Sequence, residues 1–545
     1  MMDWVLLADG PGFTGLLSDF NTMFWSGVLR IFEAIIAAAP YLVSGAFAAG
    51  ILRGMVGAER LQRLLAVHHW SSPLRAWAFG ILLPVCSLGA LPIARELRRA
   101  GVPSGTVLSF VLVAPVLNPV SIIYGLSHIE PVMLIYFAIG TFIISIGIGL
   151  LWNRLISAER DTQPEQLERP PVDSLQRLQV VGTTAARSVF GRTCIDYALA
   201  LLAVGFLGAF LPHAVLSSGL TRDNIFAPAL MGIVAIPVYV TPTEVMMHFG
   251  HIVRDGFSLG AAFALIVLGA GANVGVANWL RRDYGFRPLM LFVCSLIGAT
   301  LLLGVTADRS LPSGAATQQD HTHAFDSFTR LSSVPARDAN PVWVFKKVWT
   351  ESSVTEIYGL ELLAILMVCG FVLFLAGDRL EIESIMLATK QASATELTSP
   401  KWDPALSTGQ LAAATITGVL ALSTLGLYLF YPAKEEILDD LINLRFGVRE
   451  AVANEDLPEL QRQVRLLRTQ VQKLPTSARI RFQTVTEEQQ KSVEELLYSL
   501  KTIENYANAG KFTQASFMLN YFEKTYMRCS SAFREAKPLN IPTAP

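Results

Sequence analysis

One cysteine and two asparagines stand where an otherwise apolar sequence has least use for them. Cys86 lies between Pro84 and Pro92 in "LPVCSLGALPIARELRRAGVPSG" (83–105), with Gly89 three residues on and Arg95, Arg98 and Arg99 directly after. A thiol between two helix breakers can serve as a soft ligand; the plainer reading is a small buried hydrophobe. Asn118 and Asn273 fall within apolar runs. An amide offers both donor and acceptor, and a polar side chain in hydrocarbon marks a functional position or a structural clamp. Glu244, His248 and His251 fall within about 60° of arc if helical. That set suits a divalent transition metal or a proton relay; the plainer reading is a wet helix end. His68, His69, His321 and His323 sit in polar loops and read as solvated.

The elements that must position these residues are membrane spans. The chain has 545 residues, 52% hydrophobic and only 16% charged, against about 25% charged for a soluble domain. Apolar stretches near the roughly 20 residues that cross a bilayer recur through 28–307 and return at 357–377 and 408–431. An all-α polytopic membrane protein is expected. The first residues carry Asp3 and no basic stretch, so no secretory leader is expected. The net charge of −1 gives no reason to expect nucleic acid. Five single cysteines with no CxxC pair encode neither a disulfide framework nor a zinc knuckle. GxxxxGK[ST] and HExxH are absent, so no nucleotide or zincin chemistry is expected, and no cofactor.

A repeat organises the spans. Residues 83–120 are echoed at 236–275, "IPVYVTPTEVMMHFGHIVRDGFSLGAAFALIVLGAGANVG". Pro84 is paired with Pro237, Gly101 and Gly105 with Gly256 and Gly260, and Asn118 with Asn273, with two residues of slippage between the anchors. Each copy reads as an apolar half-helix, a Pro/Gly break, a short half-helix, then a full span carrying an Asn. Breaks in apolar helices survive only where they line a cavity or are buried in protein, and paired breaks in two halves point to a transport site. If the broken segments are re-entrant, loops 53–75, 95–101, 153–192 and 281–287 share one face with 16 Lys/Arg, and the other face has 2. If they span, the bias vanishes, at 8 against 10. The positive-inside rule selects the re-entrant arrangement. Each half then has three spans and one hairpin, and the odd number inverts the second half. Lys346 and Lys347 fall on the outer face and dissent.

These residues resemble a known family. "PVCSLGALPIARELRRAGVPSG…APVLNP" and "IPVYVTPTEV…GFSLGAAFALIVLGAGANVG" are similar to the two signatures of the predicted permeases that include the organoarsenical efflux permeases, ArsP/YraQ-like, over about residues 24–305. The resemblance implies an integral permease that exports small toxic species. The breaks and the repeat make Cys86, Asn118, Asn273, Pro84, Gly89, Pro237 and Thr241 the candidate substrate-binding residues. Members near the arsenical exporters carry Cys-x-Cys-Gly in the first signature and a cysteine in the second. Here Cys86 is kept, Leu88 takes the next cysteine place, and Thr241 fills the second signature. Trivalent arsenic favours several thiolates.

The expected organisation is a first permease repeat over 1–156, a cytoplasmic linker over 157–191 and a second repeat over 192–307. A polar loop (308–356), two further transmembrane helices (357–431) and a soluble helical domain (433–545) follow. In that domain Leu457, Leu460, Val464, Leu467, Val471 and Leu474 form an a/d seam, and Val493, Leu496, Leu497, Leu500 and Ile503 a second stripe. The last helix faintly resembles that of helical c-type cytochromes, but Ala532 and Phe533 replace the haem-attaching Cys and His. The functional expectation is secondary efflux of a soft metalloid or organoarsenical-like species across the inner (plasma) membrane. A divalent-metal exporter using Glu244, His248, His251 and Cys86 is one alternative. A membrane scaffold or sensor acting through the tail is the other. The expected partners are the lipid bilayer, a small-molecule or ion substrate, and a second copy or a protein partner held through 433–536. The tail is expected outside the cell or in the periplasm.

Overall fold

The computed structural model describes residues 13–65, 70–156, 174–211, 219–311, 340–376 and 431–534, with isolated positions between them at 216, 329, 413, 416, 417, 420 and 424. It is all-α among these residues. The chain divides into two compact units, 1–422 and 423–545. His68, His69, His321, His323 and nearly all of the 408–431 stretch lie outside the described residues.

Unit one opens with α1 (Phe13–Ile51), which runs through Pro40 and ends in a π-turn at Leu52–Val56. There follow α2 (Ala58–Leu65), α3 (Ser71–Ile81), α4 (Ser87–Arg99), α5 (Ser104–Val113), α6 (Pro119–His128) and α7 (Pro131–Leu155). Beyond the linker come α8 (Ser174–Val189), α9 (Arg192–Phe210), α10 (Ala227–Ala235), α11 (Pro242–Arg254), α12 (Leu259–Ala264, continued as a π-helix over Leu265–Ala270), α13 (Val274–Tyr284) and α14 (Phe286–Ser310). The unit's last described helices are α15 (Pro341–Glu351) and α16 (Val354–Ala376). Among the described residues, five helices are long and apolar enough to cross a membrane, and a sixth span counts if α12 and α13, bent by 49°, are taken together.

Element boundaries recur at one spacing. Helices α4, α5, α6 and α7 begin 155 residues before α11, α12, α13 and α14, and α7 and α14 also end 155 residues apart. Contacts recur as well. The amide of Gly105 donates to Asn153 Oδ1 at 2.9 Å, and the amide of Gly260 donates to Asp308 Oδ1 at 3.0 Å. Gly105 lies against Gly149 as Gly260 lies against Gly304, so close that a methyl group at 105 or 260 would collide with the facing carbonyl. Gly101 and Gly256, each just past a half-helix, have φ of 73° and 83°, a left-handed turn that glycine enters without a Cβ penalty.

This register corrects the sequence pairing at one end. No slippage occurs: Pro84 answers to Tyr239, Gly89 to Glu244 and Cys86 to Thr241. Pro237 answers to Leu82. The prolines misled because either one, lacking an amide N–H, can end a helix anywhere inside a short break. Two stretches read as irregular also contain helices. Within the linker, α8 buries Val180, Val181, Ala185, Ala186 and Val189. Within the supposed polar loop, α15 buries Val344 and Val348 beside Leu29 and Ile36.

Among the described residues unit two has four long helices, α17 (Lys434–Ala453), α18 (Leu457–Ile480), α19 (Glu487–Asn508) and α20 (Phe512–Arg534). Its core takes Leu460, Val464, Leu467, Val471 and Leu474 from α18 and Val493, Leu496, Leu500 and Ile503 from α19. Phe522, Tyr526 and Phe533 of α20 close it.

Candidate functional site

Four half-helices start at breaks, and each start is capped by a side chain. Cys86 Sγ accepts from the amide of Gly89 at 3.2 Å, and Asn118 Oδ1 from that of Ser121 at 2.9 Å. In the second half, Thr241 Oγ1 accepts from the amide of Glu244 at 3.4 Å, and Asn273 Oδ1 from that of Val276 at 3.1 Å. The first turn of a helix leaves amides without intrahelical partners; in a water-free interior these acceptors supply what solvent cannot.

Asn118 and Asn273 therefore do not ride in the middle of continuous spans, as the sequence suggested. They end one half-helix and begin another. Pro115 and Pro119 enforce the first break, Pro119 occupying the helical position where a missing N–H does no harm. Gly269, within the loosened π-helix, and Gly271, just past it, permit the second. The free amide hydrogens then tie the breaks together. Asn118 Nδ2 donates to the Val85 carbonyl at 3.1 Å, and Asn273 Nδ2 donates to Ser87 Oγ at 2.7 Å. Tyr41 of α1 reaches the start of α11, its hydroxyl donating to Thr243 Oγ1 at 3.3 Å, and Thr243 Oγ1 lies 3.3 Å from the capping Thr241 hydroxyl.

Pro84 helps through its carbonyl, which accepts from Ser44 Oγ at 2.7 Å. Gly89 presses against the Tyr41 carbonyl, which a Cβ there would approach to 2.6 Å. Pro237 stands half-buried in the break ahead of α11. Leu88, in the family's second cysteine place, packs on Gly275. The Cys86 thiol is fully buried. Tyr41, Tyr197 and Tyr239 come close enough to interact with it electrostatically. Tyr239 hydrogen-bonds with the Cys86 thiol, and the Tyr197 hydroxyl is buried without a hydrogen-bond partner among the described residues. The tyrosines were missed in the sequence, where each is one more aromatic in an apolar run.

On one side of this crossing lies a cavity of about 320 Å³, lined among others by Arg30, Glu33, Tyr239, Glu244, Ser352 and Glu356. Arg30 pairs with Glu33 at 2.7 Å and donates to the Thr329 carbonyl. Glu244 closes a capping box, accepting from the amide and hydroxyl of Thr241 at 3.0 and 2.7 Å. His248, one turn on, is buried, and His251 is half-buried. Among the described residues no three His, Cys, Asp or Glu side chains converge closely enough to hold a metal ion. Glu244, His248 and His251 share a helix but are not gathered into a ligand set, because the carboxylate turns back to cap its own helix.

Residues 24–308, just over half the chain, match the family described as predicted permease, ArsP_1. The chain belongs to that permease family. Within its permease region the protein is similar to UPF0718 protein YcgR of Bacillus subtilis, with 24% identity over 267 residues, covering 48% of this chain and 88% of that protein. It is also similar to a Streptococcus mutans protein described as a candidate subunit of a two-component membrane permease complex, with 27% identity over 131 residues, 24% of this chain and 44% of that one. No solved structure matches the permease.

Proposed function

We propose that this permease is a secondary exporter of a small soft, thiophilic species, built of two halves inverted about an axis in the membrane plane. The observation that carries the reading is the linkage of four capped half-helix starts into one crossing, with a thiol among the caps and a cavity of about 320 Å³ beside it. Discontinuous helices meeting at the interface of two repeats are the usual setting of a transporter site. Cys86 supplies a soft ligand, Tyr239 a hydroxyl hydrogen-bonded to that thiol, Tyr197 a buried hydroxyl with no partner among the described residues, and Asn118 and Asn273 the ties that hold the breaks. Outward transport rests on the resemblance to arsenical exporters. The positive-inside rule puts the arginine-rich face in the cytoplasm and unit two outside the plasma membrane.

The test is a resistance screen. A hypersensitive host expressing the permease is challenged with trivalent organoarsenicals, antimonite, copper and zinc. Resistance to the arsenicals or antimonite that Cys86→Ser removes at equal abundance is the expected result. Resistance to zinc alone, insensitive to Cys86, overturns the thiophilic reading.

A second reading concerns unit two. The name of the Streptococcus relative describes a complex subunit, and a four-helix bundle appended to a permease is a ready partner-binding module. Co-purification with a second membrane protein that is lost on deleting 433–545 is the outcome this reading expects.

A further inference from the structure

The crossing has two sides, and they are closed differently. Helix α1 gives the scale. Arg30, Glu33 and Ala37 line the cavity, Gly45 meets Gly89 at the first break, and Leu52 and Arg53 lie with Glu96 and Arg99 at the far end of α4. From Glu33 to Arg53 is about 30 Å of helix at 1.5 Å per residue. The cavity and the end of α4 therefore lie on opposite sides of the breaks.

At the end away from the cavity, one carboxylate holds both halves. Asp196 of α9 is fully buried. Its Oδ2 pairs with Arg95 of α4 at 3.0 Å and with Arg282 of α13 at 3.0 Å. Its Oδ1 accepts from Asn278 of α13 at 2.8 Å. Arg95 belongs to the half-helix that starts at Cys86, and Arg282 and Asn278 to the one that starts at Asn273. A parallel tie joins the same two helices, Arg98 to Asp283 at 2.6 Å. The corresponding positions on the cavity side, 155 residues away, carry no such charges. Asp196 answers to Tyr41, Arg95 to Gly250 and Arg282 to Ser127.

We propose that Asp196 is the positioning residue of a gate that closes the transport path on the side opposite the cavity. The inference rests on the permease reading above. A path that opens alternately must be shut on one side while the other is open. Here the cavity side is open and the far side is bound by ion pairs. Parting α4 from α13 strips Asp196 of a cation, and a buried carboxylate without its partners is strongly disfavoured. The gate opens only when motion of the halves lets water replace those partners. Arg95 and Arg282, a quarter to a third exposed, already touch solvent on that face.

The test reads access to the crossing, not transport. Cys86 is kept as the sole cysteine, with Cys194, Cys294, Cys369 and Cys529 replaced by Ala. An impermeant methanethiosulfonate reagent is applied to membrane vesicles of each orientation. In the parent, Cys86 labels slowly from the Asp196 face. Asp196→Asn is expected to raise that rate by about tenfold, within the range of coupling between distant sites, and Asp196→Glu to restore it. If Asp196→Asn fails to accumulate, Arg282→Gln is expected to give a smaller rise from the same face. An unchanged rate in whichever variants accumulate overturns the gate. Failure of every thiophilic species to move in the parent, with the rise still seen, overturns the substrate reading and leaves the gate standing.

Discussion

The first and second hairpins follow the same chain path, and position 89 against position 244 is where their packing differs most. At position 89 the first has glycine, and the backbone of α1 fills the space, with Gly45 so near that a methyl group would collide with the Gly89 carbonyl. At position 244 the second has glutamate, and a cavity stands in front of it. Both hairpins start a half-helix from a capped break, and both turn back through a left-handed glycine. The difference teaches that repetition fixes the path of the chain while side-chain size decides which half is packed shut. Charge then secures the asymmetry, since the positions equivalent to Asp196, Arg95 and Arg282 are the uncharged Tyr41, Gly250 and Ser127.

The largest effect should come from filling the closed hairpin. Gly89→Leu or Gly45→Leu has no room against backbone, and overpacking of this kind costs about 3 kcal/mol or more. These variants should be lost from the membrane fraction. Glu244→Gln keeps the capping acceptor and should accumulate as the parent does; a reversal of that order would break the comparison. Next come the matched asparagines. Asn118→Asp and Asn273→Asp retain the capping oxygen but lose the bridging donor, at a cost of about 1–2 kcal/mol each. Both should accumulate and both should transport poorly; unequal effects would mean that the halves do not share the work. Cys86→Ser keeps a capping oxygen and should leave abundance unchanged while abolishing resistance to thiophilic species, read as growth inhibition. The smallest effect lies outside the permease body. Burial pushes the Cys529 thiol up from 9.0 to about 11. The neutral form thus contributes stability that is complete below pH 9.0 and falls away as pH rises through 11. Cys529→Ala should flatten the melting temperature of unit two over that interval, and an unchanged slope would show that the thiol does not titrate there.

Much of this was legible in the sequence, for physical reasons. Hydropathy marked α1, α7, α9, α14 and α16, and the paired glycines and asparagines marked the repeat. The stripes of α18 and α19 marked the second unit's core. The register slipped by two at the breaks because Pro84 and Pro237 mark irregular backbone without fixing its length. The breaks at Asn118 and Asn273 were hidden because hydropathy runs on through "APVLNP" and "GAGANVG", although the prolines and glycines there were the signal. Helices α8 and α15 were hidden because each is apolar on one face only and sits in a polar stretch. The ion pairs at Asp196 join residues 101 and 86 positions apart, which no local pattern reveals. A lone aspartate near the start of an apolar span was the available clue.

Sidedness tests the central claim, that the two halves are inverted around one crossing, most directly. Leu175, at the start of α8, and Asp223, just ahead of α10, lie on opposite faces in the inverted arrangement. Each is replaced by cysteine in a cysteine-free background and treated with an impermeant maleimide in intact cells. The account predicts that position 223 labels at once and position 175 only after the membrane is opened. Labelling of position 175 in intact cells would contradict it.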